Sequence, residues 1–266
     1  MPRAKLSALF PWAIALLVLA GCAGQQADPT AKLTPEQIFE QAKEEIANLQ
    51  FAKGIGLLDK LEGRAAGTPL AQQAQLEKAY AHHKAGEPAQ AVATLDRFMR
   101  LHPASPAIDY ALYLKGIAQF NEDIGFFSSI TRQDLSERDQ QAAKESFAAF
   151  KELVARFPKS RYADDANARM TYIVNSLAMY EVHVARYYYS RGAYVAAINR
   201  AQQALSDYRS APALEEALHI LVQCYDALQL PDLRDDARRV LERNYPQSQY
   251  ISRDDTPTQN LWWKLW

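Results

Sequence analysis

From Thr34 onward apolar side chains recur three or four positions apart, with polar ones between them. Val92, Leu95 and Met99 form one such series. Phe147, Phe150, Val154 and Phe157 form a second, and Leu214, Leu218, Leu221, Tyr225 and Leu228 a third. At 3.6 residues per turn this spacing gathers apolar groups on one stripe of a helix. The alternating runs that would predict strands are absent from the sequence. Thr34-Pro35-Glu36-Gln37 reads as a helix start, with proline at the first helical position and glutamine at the third. Thr68-Pro69 and Ser105-Pro106 predict starts of the same kind. Gly86 and Gly192 stand between helical stretches and suit the left-handed conformation that closes a helix. The chain is expected to be all-α.

The helical stretches repeat. A marker that closes one helix and opens the next reads Leu101-His102-Pro103-Ala104-Ser105, Arg156-Phe157-Pro158-Lys159-Ser160 and Asn244-Tyr245-Pro246-Gln247-Ser248. Degenerate copies stand at Arg64-Ala65-Ala66-Gly67 and Asp207-Tyr208-Arg209-Ser210. Taking Ala65, His102, Phe157, Tyr208 and Tyr245 as equivalent gives spacings of 37, 55, 51 and 37. Two of these lie close to the roughly 34 residues of a tetratricopeptide repeat. The spacing of 55 holds an insertion at about 121–138, and that of 51 a long first helix running from near Tyr162 toward Ser190. Tyr80, Gly86, Ala91, Phe98 and Pro103 fall where such a repeat wants aromatic, turn, small, aromatic and breaker residues. A single helix pair cannot bury its own apolar face, so pairs stack and line a groove with their first helices. The expected architecture is a right-handed superhelix (an α-solenoid) of about five tetratricopeptide-like pairs; a generic helical bundle is the alternative.

The first residues carry an address instead of structure. Arg3 and Lys5 precede an apolar stretch from Leu6 to Ala20, a signal peptide over 1–21. Leu19-Ala20-Gly21-Cys22 is similar to a bacterial lipobox, in which Cys22 would carry an S-diacylglycerol and an N-palmitoyl group. Acyl chains hold a protein by burying methylenes worth about 0.8 kcal/mol each. Residues 22–33 then read as a lipidated tether, and the resemblance to bacterial lipoproteins implies that Ala23, a non-aspartate, permits export to the outer membrane.

Composition narrows the function. Thirty Lys and Arg stand against thirty-one Asp and Glu; losing Arg3 and Lys5 leaves 28 against 31, without the cationic excess of a nucleic-acid binder. Two cysteines exclude a disulfide framework and multi-cysteine metal sites. Cys224 lies in an apolar helical stretch and is expected to be a buried hydrophobe. No phosphate loop, nucleophile elbow or His-Glu-x-x-His motif is present. His82 and His83 are adjacent and point about 100° apart on a helix, unsuited to a shared metal ion. Asp134, Glu137 and Asp139 lack the glycine and spacing of a calcium loop. The expectation is no catalytic residue, no metal and no cofactor beyond the covalent lipid.

Aromatic side chains are the informative surplus. Tyr110, Tyr113 and Phe120 share one first helix, and Tyr180, Tyr187, Tyr188, Tyr189 and Tyr194 cluster later. Tyrosine offers a broad apolar face and loses little rotamer entropy on binding. Phe39, Tyr80, His83, Tyr110 and Tyr113 are the candidates for a peptide groove. Phe126-Phe127 in the insertion is expected to fold back on the helices. Arg200 lies off the apolar face marked by Ile198 and Leu205, where the plain expectation is a solvated arginine. Its guanidinium also suits a two-pronged pair with a partner's carboxylate. Three of the four tryptophans fall within Trp262–Trp266, in a tail (251–266) expected to pack on its own chain, at a lipid interface or in a partner.

The lipobox, Thr34–Phe39, Gln72–Leu76, Leu95–Pro103, Ile108–Gly116, Ser136–Asp139 and Tyr187–Arg200 together resemble the BamD family, lipoproteins of the outer-membrane β-barrel assembly machinery. The resemblance implies five tetratricopeptide repeats, lipid-anchored at the periplasmic face of the outer membrane, and a scaffold instead of an enzyme. It implies that repeats over 34–158 receive the aromatic-ended signal of unfolded outer-membrane proteins. Repeats over 159–250 would hold a POTRA domain of BamA, with Arg200 matching the arginine that reaches it, and other Bam lipoproteins would attach elsewhere. Ala65-Ala66 departs from an aromatic-proline pair frequent in the family. Two rivals are a tetratricopeptide lipoprotein coordinating cell-envelope or peptidoglycan assembly, and a cell-wall hydrolase on a helical scaffold.

Overall fold

The computed structural model describes residues 30–120 and 137–251. Cys22, Phe126-Phe127 and the tryptophans of the tail lie outside the described residues. Among the described residues the chain is helical, with ten α-helices and no strand. They are α1 (Pro35–Ala47), α2 (Phe51–Arg64), α3 (Pro69–Lys84), α4 (Pro88–Leu101), α5 (Ile108–Gln119), α6 (Glu137–Arg156), α7 (Ala163–Ser190), α8 (Tyr194–Asp207), α9 (Leu214–Ala227) and α10 (Pro231–Asn244). The chain divides into two compact units after Ala81, within α3.

In the first unit α1 opens with the expected capping box. The Gln37 amide donates to Thr34 Oγ1 at 3.3 Å, and the Thr34 amide donates to Gln37 Oε1 at 2.9 Å. Ile38, Ala42 and Ile46 of α1 meet Leu58 and Leu61 of α2 and Ala71 and Ala74 of α3 in one core. Gly54 lets α1 and α2 approach: a Cβ there would stand 2.5 Å from Ile46 Cγ1. Lys78 of α3 reaches Asp59 at 2.8 Å and Glu62 at 2.7 Å from a nearly buried position. Burial alone would depress its ammonium, but the two carboxylates carry it above the usual lysine range. Arg64 donates through Nη1 to the Thr30 carbonyl at 2.6 Å, tying the end of α2 to the segment before α1.

In the second unit each helix packs on the next, from α4 through to α10, and α7 also packs on α9. This nearest-neighbour pattern is how stacked repeats share a core that no single pair could close. Ala197, Ala201 and Ala204 of α8 are fully buried against Ala178, Val182 and Ala185 of α7 and Ala217 and Leu221 of α9. Small residues let these helices lie close. Cys224 is buried in the same core, and burial pushes its thiol up to about 12.

The repeated marker is one hydrogen-bonded junction used five times. The amides of Ala65, His102, Phe157, Tyr208 and Tyr245 each donate four residues back, to Leu61, Phe98, Leu153, Ala204 and Leu241. Three residues on, the amides of Thr68, Ser105, Ser160, Ala211 and Ser248 donate to the marker carbonyls. Helix orphan carbonyls are thereby satisfied, and at the first four junctions the chain is turned into the next first helix. One start differs from expectation. Thr68-Pro69 begins α3 directly, whereas Ser105-Pro106 does not begin α5. A further turn, in which the Ile108 amide donates to the Ser105 carbonyl, delays that helix to Ile108.

Within pairs a second turn recurs. Gly86 and Gly192 adopt φ +75° and +74° as expected, and Leu49 (+61°) and Gln229 (+58°) occupy the same place in the first and last pairs. α7 runs through 28 residues to Ser190, matching the long first helix expected there. The last helix breaks the apolar pattern. Counting back seven and eleven residues from each marker gives Leu58 and Gly54, Leu95 and Ala91, Phe150 and Ser146, Ala201 and Ala197, all buried. In α10 the same positions are Arg238 and Arg234. Arg234 pairs with Asp226 and Asp235, both at 2.9 Å. This stripe of α10, the last helix among the described residues, is therefore charged where the other second helices are apolar or small.

Candidate functional site

The five candidate groove residues fall into two sets, one in each compact unit. In the first unit Phe39 and Tyr80 pack partly buried against the α1–α2–α3 core. Lys43 Nζ lies over the Phe39 ring, 5.6 Å from its centre, so one face of that ring meets a cation. Both rings therefore contribute to packing as well as to surface.

In the second unit His83 is half-buried, and burial together with neighbouring Lys84 holds its imidazole below the usual histidine range. His82 points elsewhere, its Nδ1 2.7 Å from Glu87 Oε2. The two histidines do not converge, as their adjacency predicts. Tyr110 and Tyr113 of α5 do converge, on Tyr162 at the entrance of α7. The Tyr113 and Tyr162 rings stack with centres 4.6 Å apart and planes 18° from parallel, and Tyr110 lies 5.7 Å from Tyr162. Further along, Phe120 meets Tyr172 at 5.7 Å. Cations cover this row: Arg161 sits 4.8 Å from the centre of Tyr162 and Arg169 4.7 Å from that of Phe120.

A carboxylate ties the row together. Tyr113 donates its hydroxyl to Asp165 Oδ2 at 2.8 Å, and Arg169 Nε donates to the same oxygen at 2.7 Å. Burial would raise the Asp165 carboxyl, but these two donors hold it below the usual range. Burial and the Asp165 charge push the Tyr113 hydroxyl up. The result is a partly exposed strip of aromatic rings, with Tyr113 and Tyr162 near parallel and the others tilted, flanked by guanidinium groups. Chemically it can stack on rings and accept carboxylates; it holds no activated nucleophile. Tyr162, Asp165, Arg161 and Arg169 were not singled out in the sequence, although the repeat register carried a signal. Five residues after the marker Phe157, Tyr162 is aromatic where three of the other markers are followed by Leu70, Ala107 and Ala213 and the fifth by Tyr250.

Arg200 is partly solvated and also ion-paired. On α8 its Nη1 donates at 3.1 Å to Oε2 of Glu181 on α7. The Glu181 side chain is 4% exposed and that of Arg200 40%. Guanidinium carries five N–H donors, so one bond to Glu181 leaves a half-open fork. Among the described residues no group of three His, Cys, Asp or Glu side chains is arranged to hold a metal ion. No described helix is long and apolar enough to cross a membrane.

Known proteins agree with this picture. Residues 31–241 match the family YfiO, described as outer membrane lipoprotein. The outer membrane protein assembly factor BamD of Neisseria gonorrhoeae is 43% identical over 255 residues, spanning 94% of this chain and 96% of its own length. The namesake from Neisseria meningitidis serogroup B is 44% identical over 259 residues with the same coverage. The BamD of Vibrio cholerae is 32% identical over 231 residues, covering 87% of this chain and 95% of that protein. With a helical repeat fold and end-to-end matches of this depth, the chain belongs to the BamD family of outer membrane protein assembly factors.

Proposed function

We propose that the chain is a non-catalytic adaptor in the insertion of β-barrel proteins into the outer membrane. It is held at the periplasmic face by acyl groups on Cys22. It engages a POTRA domain of BamA through its later repeats, with Arg200 at the contact, and takes up aromatic-rich segments of unfolded barrel proteins. Other lipoproteins of the same machinery would occupy the remaining faces.

The observation that carries this reading is the row formed by Tyr110, Tyr113 and Tyr162 with Arg161 and Arg169. Aromatic faces grip extended segments without demanding one sequence, and flanking arginines favour carboxylates on the guest. An adaptor for many barrel proteins needs that tolerance. Half-open Arg200 supplies a separate charged anchor of the type that concentrates binding energy at interfaces.

A photoreactive amino acid at Tyr113, introduced while a barrel protein is being synthesised, tests the substrate half. Cross-links to the nascent barrel chain are expected from that position and not from exposed Leu101. Equal yields from both sites, or none from Tyr113, overturn the assignment. Mass spectrometry of the mature protein tests the anchor, the expected species beginning at residue 22 with acyl groups attached.

A further inference from the structure

The within-pair turn gives the repeats a common ruler. Its left-handed residue is Leu49, Gly86, Gly192 or Gln229 in the four pairs where it is described. Eleven residues earlier stand Ile38, Gln75, Glu181 and Leu218, and all four are buried. Eight residues later stand Leu57, Thr94, Arg200 and Ala237. The first and last pairs thus carry apolar residues at both positions, the second carries uncharged polar ones, and the fourth alone carries opposite charges. A core position that carries no charge in the other three pairs has become a carboxylate, and its partner position has become the cation.

Stability does not account for that exchange. Burying a carboxylate costs desolvation that its partner at best repays, and apolar residues of similar size serve a core as well or better. What the charged pair does provide is orientation. Glu181 is rigidly placed by the α7 core, with Val182 on one side and Ala185 one turn on, both buried. It ties down one arm of Arg200, whose side chain stays partly exposed. An arginine held this way surrenders its rotamer freedom on folding and not again on binding.

We infer that Glu181 is a positioning residue, which holds the Arg200 guanidinium ready for a carboxylate on the surface of a protein partner. This rests on the reading above that Arg200 meets BamA. Glu181 itself touches no partner; its effect passes through Arg200.

The test measures affinity of the mature chain for immobilised periplasmic domains of BamA, together with thermal unfolding. Three variants are compared: Glu181→Leu, Arg200→Ala and the two combined. Glu181→Leu is expected to melt no lower than wild type yet bind about three- to tenfold more weakly, the cost of ordering a freed long side chain. Arg200→Ala weakens binding at least as much, and adding Glu181→Leu to it weakens binding no further. If Arg200→Ala binds like wild type, the BamA reading falls, and this inference with it. If Arg200→Ala weakens binding while Glu181→Leu does not, only the positioning role falls. Further weakening by Glu181→Leu in the absence of Arg200 also overturns it, since Glu181 would then act by another route.

Discussion

The fourth and fifth helix pairs share one register and differ in what they do with it. Both close on the same junction, at Tyr208 and Tyr245, and both turn through a left-handed residue, Gly192 and Gln229. The fourth pair buries Ala197 and Ala201 where the fifth places Arg234 and Arg238. The fourth carries Glu181 and Arg200 where the fifth carries Leu218 and Ala237. One pair is apolar on its packing stripe and charged at a point of contact. The other is charged on that stripe and apolar at that point. The repeat therefore supplies the scaffold, and departures from it mark either the end of the stack or a surface put to use.

Exchanging residues between the two pairs tests this, with the largest effect on the stripe. Ala201→Arg brings the fifth pair's residue into a fully buried site and leaves a charge without a partner, at a cost of about 3–5 kcal/mol. Chemical denaturation should show that loss, whereas the reverse exchange, Arg238→Ala, should cost about 1 kcal/mol or less. Next comes the ion pair. Arg200→Ala strands the buried Glu181 carboxylate and should lower unfolding stability by about 1–3 kcal/mol, a loss that Glu181→Leu on the same chain restores. If Arg200→Ala alone is neutral, the pair is not tight enough to hold the guanidinium.

The turns come third. A side chain at a left-handed position costs about 1 kcal/mol relative to glycine. Gly192→Ala should lose that amount and Gln229→Gly should gain up to about the same, read as opposite shifts in melting temperature. The smallest effect concerns His83. Its imidazole titrates lower in the folded chain than in the unfolded one, so both states are neutral above pH 6.5 and stability is full there. As pH falls below 6.5 the unfolded chain takes the proton first and stability declines. A His83→Gln variant should show a shallower loss of melting temperature between pH 7.5 and 5.5 than wild type.

Much of the scaffold was legible because it rests on backbone demands that few residues meet. Gly86, Gly192, the Thr34 capping box and the five markers each satisfy such a demand, and all take the expected conformations. Leu49 and Gln229 hid the same turn because neither residue advertises a left-handed backbone; only alignment on the glycine turns exposes them. Ser105-Pro106 misled because proline tolerates the turn before a helix as readily as the helix's first position. Tyr110 and Tyr113 were legible as surplus aromatics on a first helix. Tyr162 and Arg161 were not, because they sit in the junction and carry no periodicity. The pairing of Glu181 with Arg200 was hidden for a different reason. A glutamate within a helix ordinarily reads as solvated, and its burial follows from tertiary packing that places α7 against α8.

The most direct measurement transplants the fifth pair's contact residues into the fourth. A chain carrying Glu181→Leu and Arg200→Ala would be incorporated with the other Bam components in lipid vesicles and scored for assembly of a β-barrel substrate. The account predicts a chain that melts no lower than wild type while barrel assembly falls toward the level seen when the chain is left out. Wild-type assembly by that chain would contradict the claim that departures from the repeat carry the function.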